Sequence, residues 1–209
     1  MSTTLSDILI GVNAYTDLES SAPTGTELTT RVEFGKQAVR EWANAYQWPE
    51  LSKVWVCNPS LASISLPTDF KEFECAPQLL ENNAWVEYPE VKAKDKYGKG
   101  DGEKYSFILG NETSGYTLVL NNLTANCTLS INYQALPSLM ATLPDTCVVP
   151  DPDFVKTRII SYILQSRSDD RFPTVSVEAN RLLMNMMGRS YSPKGGINKM
   201  PRNTTWRLE

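Results

Sequence analysis

The 209-residue chain contains no histidine. That absence removes the Ser-His-Asp and Cys-His catalytic sets and the histidine-bound zinc of the common hydrolases. Cysteine is sparse, with four residues at 57, 75, 127 and 147 and no C-x-x-C pair. Structural zinc sites draw on closely spaced ligand pairs, so this spacing argues against one. Each cysteine falls in or beside an apolar run, where a free thiol behaves as a small hydrophobe, so four buried, unpaired thiols are expected. No apolar run approaches transmembrane length, and no membrane partner is expected. The opening MSTTLSDILIGVNAYTDLE has neither a basic start nor a long apolar centre. It does not read as a signal peptide, and the expectation is a chain made in a reducing cytoplasm. The sequons at Asn111, Asn122, Asn126 and Asn203 then read as chance occurrences in Asn/Thr-rich turns.

Chemistry-bearing motifs are equally scarce. There is no Walker A loop. GKGDG at 98–102 is glycine-rich, but it lacks the GxGxxG spacing and no helix follows it. Asp95, Asp101 and Glu103 do not match a calcium loop. Glu72 and Glu74 share the wet face of one strand pattern, and nothing selects a carboxylate pair for glycoside chemistry. The expectation is a protein that is not an enzyme, with no catalytic, metal-binding or cofactor-binding residues and no cofactor.

What is present is an ordinary globular composition, 41% apolar and 21% charged, with a net charge of −4. That net charge argues against a dedicated nucleic-acid binder. The charge is unevenly spread. From Arg189 onward there are five basic residues and one acidic, while the other 188 residues hold 15 basic and 23 acidic. An acidic body thus carries a basic tail.

Helical periodicity marks both ends of the chain. Leu5, Ile8, Val12 and Tyr15 repeat at three to four residues. Thr24 and Glu27 have capping-box spacing, so a second helix is expected to begin there, with Leu28, Val32, Val39, Trp42 and Tyr46 on one face and Pro49 as its stop. Asp151 followed by Pro152 predicts a helix over 152–167 with Val155, Ile159, Tyr162 and Ile163 buried. A last helix over 173–188 carries Val175, Ala179, Leu182, Leu183 and Met186, with Gly188 as its end.

Between these ends the period changes to two. Ala62, Ile64 and Leu66 alternate with polar residues, as do Phe73 and Cys75, then Tyr105, Phe107 and Leu109, then Tyr116, Leu118 and Leu120. Cys127, Leu129, Ile131 and Tyr133 form the cleanest strand. NNLTAN at 121–126 reads as a hairpin connection between the last two strands. An immunoglobulin-like module fits poorly, because Ala125 stands where a tyrosine corner would need Tyr.

The fold class expected is therefore α+β: a helical bundle formed by N- and C-terminal helices, with an inserted antiparallel β-sheet domain and an extended C-terminal arm. The divisions are N-terminal helices over 1–52, a β domain over 53–136, a proline crossing and C-terminal helices over 137–188, and an arm over 189–209. Trp42, Tyr46 and Trp48 stand where helix gives way to sheet and are expected to wedge the two together, since each large ring can bury about 150–250 Å². KAKDKYGKGDGEK at 92–104 reads as a solvated hairpin tip or as a loop that touches a neighbour or DNA, with Lys94, Lys96, Tyr97 and Lys99 as its candidate contacts. In the arm, Arg189, Tyr191, Ile197, Met200, Arg202, Trp206, Arg207 and Leu208 are spaced as single anchors for a partner. A β-rich carbohydrate-binding or adhesin module is the second reading, and exposed aromatics on the sheet would be its mark.

The order of these pieces resembles the head–tail connector (adaptor) proteins of tailed bacteriophages. The likeness rests on the helix run AVREWANAYQWPEL (38–51), the strand SISLPTDF (63–70), the strand LSINYQALPSL (129–139) leading into a proline segment, and two helices at 152–167 and 173–188. It covers about residues 25–188 as order and texture. The lysine-rich stretch at 92–104 has no counterpart in it. The resemblance implies a structural virion protein at the virion neck, made in the bacterial host cytoplasm. It implies a ring of twelve copies, with the portal protein on one side, a stopper or other tail protein on the other, and genomic double-stranded DNA passing non-specifically through the hole. A stopper or tail-completion protein of the same neck is the nearest alternative.

Overall fold

The computed structural model describes residues 2–92, 94–100, 102–123 and 127–191. Four α-helices and eight strands follow the chain as α1 (Leu5–Thr16), α2 (Gly25–Ala45), β1 (Ser52–Cys57), β2 (Ser63–Ser65), β3 (Phe70–Phe73), β4 (Gln78–Glu81), β5 (Ala84–Glu87), β6 (Ser106–Asn111), β7 (Gly115–Leu120), β8 (Thr128–Ala135), α3 (Pro152–Ser166) and α4 (Phe172–Tyr191). The fold is α+β: N- and C-terminal helices pack together, and the antiparallel sheets are inserted between them in sequence. Among the described residues two compact units result, one from 2–38 with 140–191 and one within 39–139. The expected division at 52/53 differs from this, because the last two turns of α2 belong to the unit that holds the sheets.

In the helical unit, α1 begins at a reciprocal cap. Asp7 N–H donates to Thr4 Oγ1 at 3.2 Å and Thr4 N–H donates to Asp7 Oδ2 at 2.9 Å, satisfying two backbone donors at once. The next free donors of that first turn reach across the chain. Leu5 N–H donates to Asp145 O at 2.8 Å and Ser6 N–H to Leu143 O at 2.9 Å. The proline-rich crossing therefore holds the N-terminal helix by its backbone. Asp151 caps α3, accepting from Asp153 N–H at 3.2 Å, with Pro152 at the first position as expected. Leu5, Ile8, Leu9 and Val12 of α1 and Phe154, Val155, Ile159 and Leu164 of α3 are all buried. Phe34 of α2 meets Tyr162 of α3 with ring centroids 5.5 Å apart. A Cβ placed on Gly35 would lie 3.7 Å from both Leu5 and Ile159, which is how closely α2 approaches α1 and α3.

The sheet unit has two antiparallel sheets on one core. In the larger, β8 is central, with β1 on one side, β3 and β4 on the other, and β5 beyond β4. In the smaller, β7 lies between β2 and β6. Leu79, Leu129, Ile131 and Tyr133 from the larger sheet and Leu118 and Leu120 from the smaller share one buried cluster with Leu66, Phe70 and Tyr88. Asn82 and Asn83, at φ 49° and 63°, turn β4 into β5 as a tight hairpin with both central residues left-handed.

Four expectations need correction. The stretch 121–126 is not a hairpin, because β7 and β8 belong to different sheets. Both edges of β7 are taken by β2 and β6, and both edges of β8 by β1 and by β3 with β4, so the two cannot pair. The hairpin is instead β6–β7, where Asn111 Oδ1 accepts from Thr113 N–H and Ser114 N–H at 2.9 Å each. The stretch 92–104 is not a hairpin tip either, because it crosses from β5 in one sheet to β6 in the other. All four cysteines are free, but only Cys127 is buried; Cys57 and Cys147 are half-buried and Cys75 is exposed. Cys75 follows β3 on the wet side, where Asn132 Nδ2 approaches its Sγ at 3.4 Å. Finally, α4 runs through Gly188 to Tyr191. Gly188 does not take the left-handed conformation that ends helices, and a helix passes through glycine at a cost of about 1 kcal/mol.

Candidate functional site

The aromatic cluster is built where α2 ends. Trp42 and Trp48 are both fully buried and stack with centroids 5.0 Å apart and an interplanar angle of 23°. Tyr46 meets Trp48 edge-on at 5.3 Å. Trp48 Nε1 donates to Trp42 O at 2.6 Å, and Lys71 Nζ donates to Ala43 O at 2.7 Å. Two carbonyls of the last helical turn, which lack intrahelical donors, are satisfied in this way. All of these residues lie within the 39–139 unit. The cluster thus locks the last two turns of α2 to the sheets of that unit.

A residue not anticipated from sequence completes the lock. Gln134 of β8 is buried, and its side chain bonds the backbone of Trp48 in both directions. Trp48 N–H donates to Gln134 Oε1 at 3.0 Å and Gln134 Nε2 donates to Trp48 O at 3.2 Å. The same Nε2 also donates to Glu74 Oε1. A primary amide is suited to this, having a donor and an acceptor set side by side like a strand partner. Its only sequence signal is that polar Gln134 interrupts the apolar run Tyr133–Ala135.

The lysine-rich crossover is the second constellation. Its base is pinned. Tyr88 is fully buried and its hydroxyl donates to Glu81 Oε1 at 2.7 Å, while Lys104 pairs with Glu81. Burial and the Glu81 carboxylate push the Tyr88 hydroxyl well above the usual phenol range. Ser106 Oγ donates to Tyr88 O at 2.9 Å, and Val91 N–H donates to Ser106 O at 2.8 Å. From the end of β7, Asn121 Nδ2 donates to Glu103 O at 2.8 Å and Asn122 Nδ2 to Gly102 O at 3.0 Å. A polar cleft of about 390 Å³ opens there, lined by Lys96, Tyr97, Lys99, Tyr105, Asn121 and Asn122. Lys96 Nζ lies 5.0 Å from the Tyr97 ring centroid and 5.3 Å from that of Phe107. Of the four candidate contacts, Lys96, Tyr97 and Lys99 line the cleft. Lys94 is exposed just before the short 3-10 turn Asp95–Gly98.

In the helical unit, Asp17 after α1 is held by Arg31 of α2 at 2.6 Å and by Arg167 after α3 at 2.9 Å. Arg31 is almost fully buried and also pairs with Glu27. Partial burial pushes the Asp17 carboxyl up, but the Thr16 hydroxyl, Arg167 and Arg31 outweigh it and hold the group at about 2. This cluster ties three helices by charge.

Of the expected arm residues, Arg189 is exposed on α4 and Tyr191 is the last residue of that helix. Ile197, Met200, Arg202, Trp206, Arg207 and Leu208 lie outside the described residues. Among the described residues no group of three or more Cys, Asp or Glu is placed to hold a metal ion, and no helix is long and apolar enough to cross a membrane. The outer face of the larger sheet carries exposed Val54, Val56 and Trp85, which the strand register puts on one side. No family model matches the chain, and no curated protein matches it.

Proposed function

We propose that this chain is a structural subunit of the head–tail neck of a tailed bacteriophage. Twelve copies would form a ring that joins the portal to the tail and surrounds the passing genome. The observation that carries the reading is the packing of N- and C-terminal helices into one unit with a double β-sheet inserted between them, in the element order of the connector proteins the sequence resembles. Two further features support it. The locked Trp42–Trp48–Gln134 cluster suits a subunit that must resist deformation. The excess of acid in residues 1–188 would keep DNA from sticking as it slides, because like charges repel phosphates. The test is to mix the purified chain with portal rings and measure mass. A twelve-copy layer of a 23.4 kDa chain adds about 280 kDa, twelve times the chain mass. No added mass at any protein ratio would reject the reading.

A second reading has one observation in its favour. Trp85 is 54% exposed on the outer face of the larger sheet, as a glycan-stacking platform would be. It predicts glycan binding by the isolated chain, abolished by Trp85→Ala, with no portal binding.

A further inference from the structure

We infer that the crossover at 92–104 is a contact for the phosphate backbone of duplex DNA. The unit 39–139 holds eight basic and twelve acidic residues, and five of the eight basic ones fall within 92–104. Two of those five are neutralised in place, Lys104 by Glu81 and Lys99 by Glu103 at 3.4 Å. Lys92, Lys94 and Lys96 have no ion pair among the described residues. With Asp95 standing between Lys94 and Lys96, residues 92–96 carry three ammonium groups against one carboxylate, a crest with a local excess of two positive charges on a unit of net negative charge. Screening over about 8 Å at physiological salt lets such a crest act separately from distant acids.

The crest stands on a fixed base. Asn121, Asn122, the Tyr88–Glu81–Lys104 set and the Ser106 bonds hold its flanks, so little backbone freedom is lost on binding. Beside it, the cleft is lined by Lys96, Tyr97, Asn121, Asn122 and the Glu103-paired Lys99, and each asparagine Nδ2 keeps a second N–H beyond the one it gives to the crossover backbone. Lysine, tyrosine and asparagine are the residue types that bond phosphate oxygens without reading sequence. Tyr97 is 84% exposed, so its hydroxyl is free to reach a ligand. An acidic protein surface is the less suitable ligand, because lysine is depleted from the cores of protein interfaces. The inference rests on the neck reading for the source of its ligand. It also gives the acidic subunit one weak, sequence-independent hold on DNA, which a ring would multiply.

The test uses the full chain, a fluorescently labelled 30-base-pair duplex and anisotropy at 50 and 200 mM salt. The expected affinity is that of non-specific binding, a dissociation constant on the order of 10⁻⁴–10⁻⁶ M that weakens as salt rises. Lys92→Glu with Lys94→Glu changes two exposed side chains that support no packing. It should weaken binding at least tenfold and reduce the salt slope by about 2. Lys96→Ala with Lys99→Ala should act in the same direction. Absence of binding at 50 mM salt, or equal binding by wild type and both variants, overturns the inference. So does displacement of the duplex by polyglutamate as effectively as by unlabelled DNA, which would assign the crest to an acidic protein. Portal assembly that proceeds without DNA binding sinks this inference alone. DNA binding without portal assembly sinks the neck reading and leaves this one standing.

Discussion

Trp42 and Gln134 illustrate two kinds of contribution a single residue makes here. Trp42 acts through volume. It is fully buried and stacked on Trp48, so Trp42→Ala should lower stability by about 3–5 kcal/mol. Gln134 acts through satisfaction. Its loss strands the buried N–H of Trp48, whose C=O keeps the Leu51 N–H at 3.0 Å, so Gln134→Ala should cost about 1–3 kcal/mol despite removing little apolar area. Urea denaturation of both variants checks this, and a loss under about 1 kcal/mol for Trp42→Ala would show that the cluster is not a lock. Asp17 contributes through charge. Its carboxyl titrates lower in the folded chain than the ordinary 3.8, so its pairing stabilises fully above pH 3.8 and is lost as pH falls through about 2. The contribution is about 1 kcal/mol after allowing for solvent screening of a partly exposed group. Asp17→Asn should therefore be less stable than wild type at neutral pH, with the gap closing in acid; a constant gap between pH 5 and pH 2 would contradict that assignment. Trp42 was legible in the sequence because a large ring on a helical stripe has few places to go. Gln134 was not, because a glutamine in an alternating strand reads as a wet-face residue until its partner 86 positions away is known.

Elements were legible to the extent that their signals are local. The 3.6-residue stripe and the Asp151-Pro152 start located α3 without any tertiary information. Strand alternation located β6, β7 and β8, but period two reports which face is buried and not which strand is the neighbour. The supposed hairpin at 121–126 failed for that reason. β4 and β5 are four residues each, too short to show a period, and their one local signal is the Asn82-Asn83 turn. Two glycines test the packing of these elements in opposite senses. Gly35→Ala places a methyl at ordinary contact distance in a helix interior and should stabilise the chain by about 0.5–1 kcal/mol. Gly110 has φ 101°, and a Cβ there would lie 2.1 Å from Gly115 O, so Gly110→Ala should destabilise by at least 1–2 kcal/mol, as an order-of-magnitude figure. Thermal melts decide both signs; a destabilised Gly35→Ala would mean that the approach of α1 and α3 to α2 is tighter than the structure gives.

At the scale of the whole molecule, the packing of both chain ends into one unit was foreseeable, because short amphipathic helices cannot bury their stripes alone. The place where the units divide was not, since α2 reads as one uninterrupted helix in sequence and in structure while contributing to both. The basic tail belongs to this scale. Since α4 continues to Tyr191, the truncation that spares the helices removes 192–209. That variant should keep the wild-type melting temperature and lose most of its portal binding; undiminished binding would remove the tail from the interface. The neck assignment itself is tested most directly by locating the chain in purified virions with gold-labelled antibody and electron microscopy. Label is expected only at the vertex between head and tail. Label on the capsid faces, at the tail tip, or nowhere on the particle would contradict that assignment.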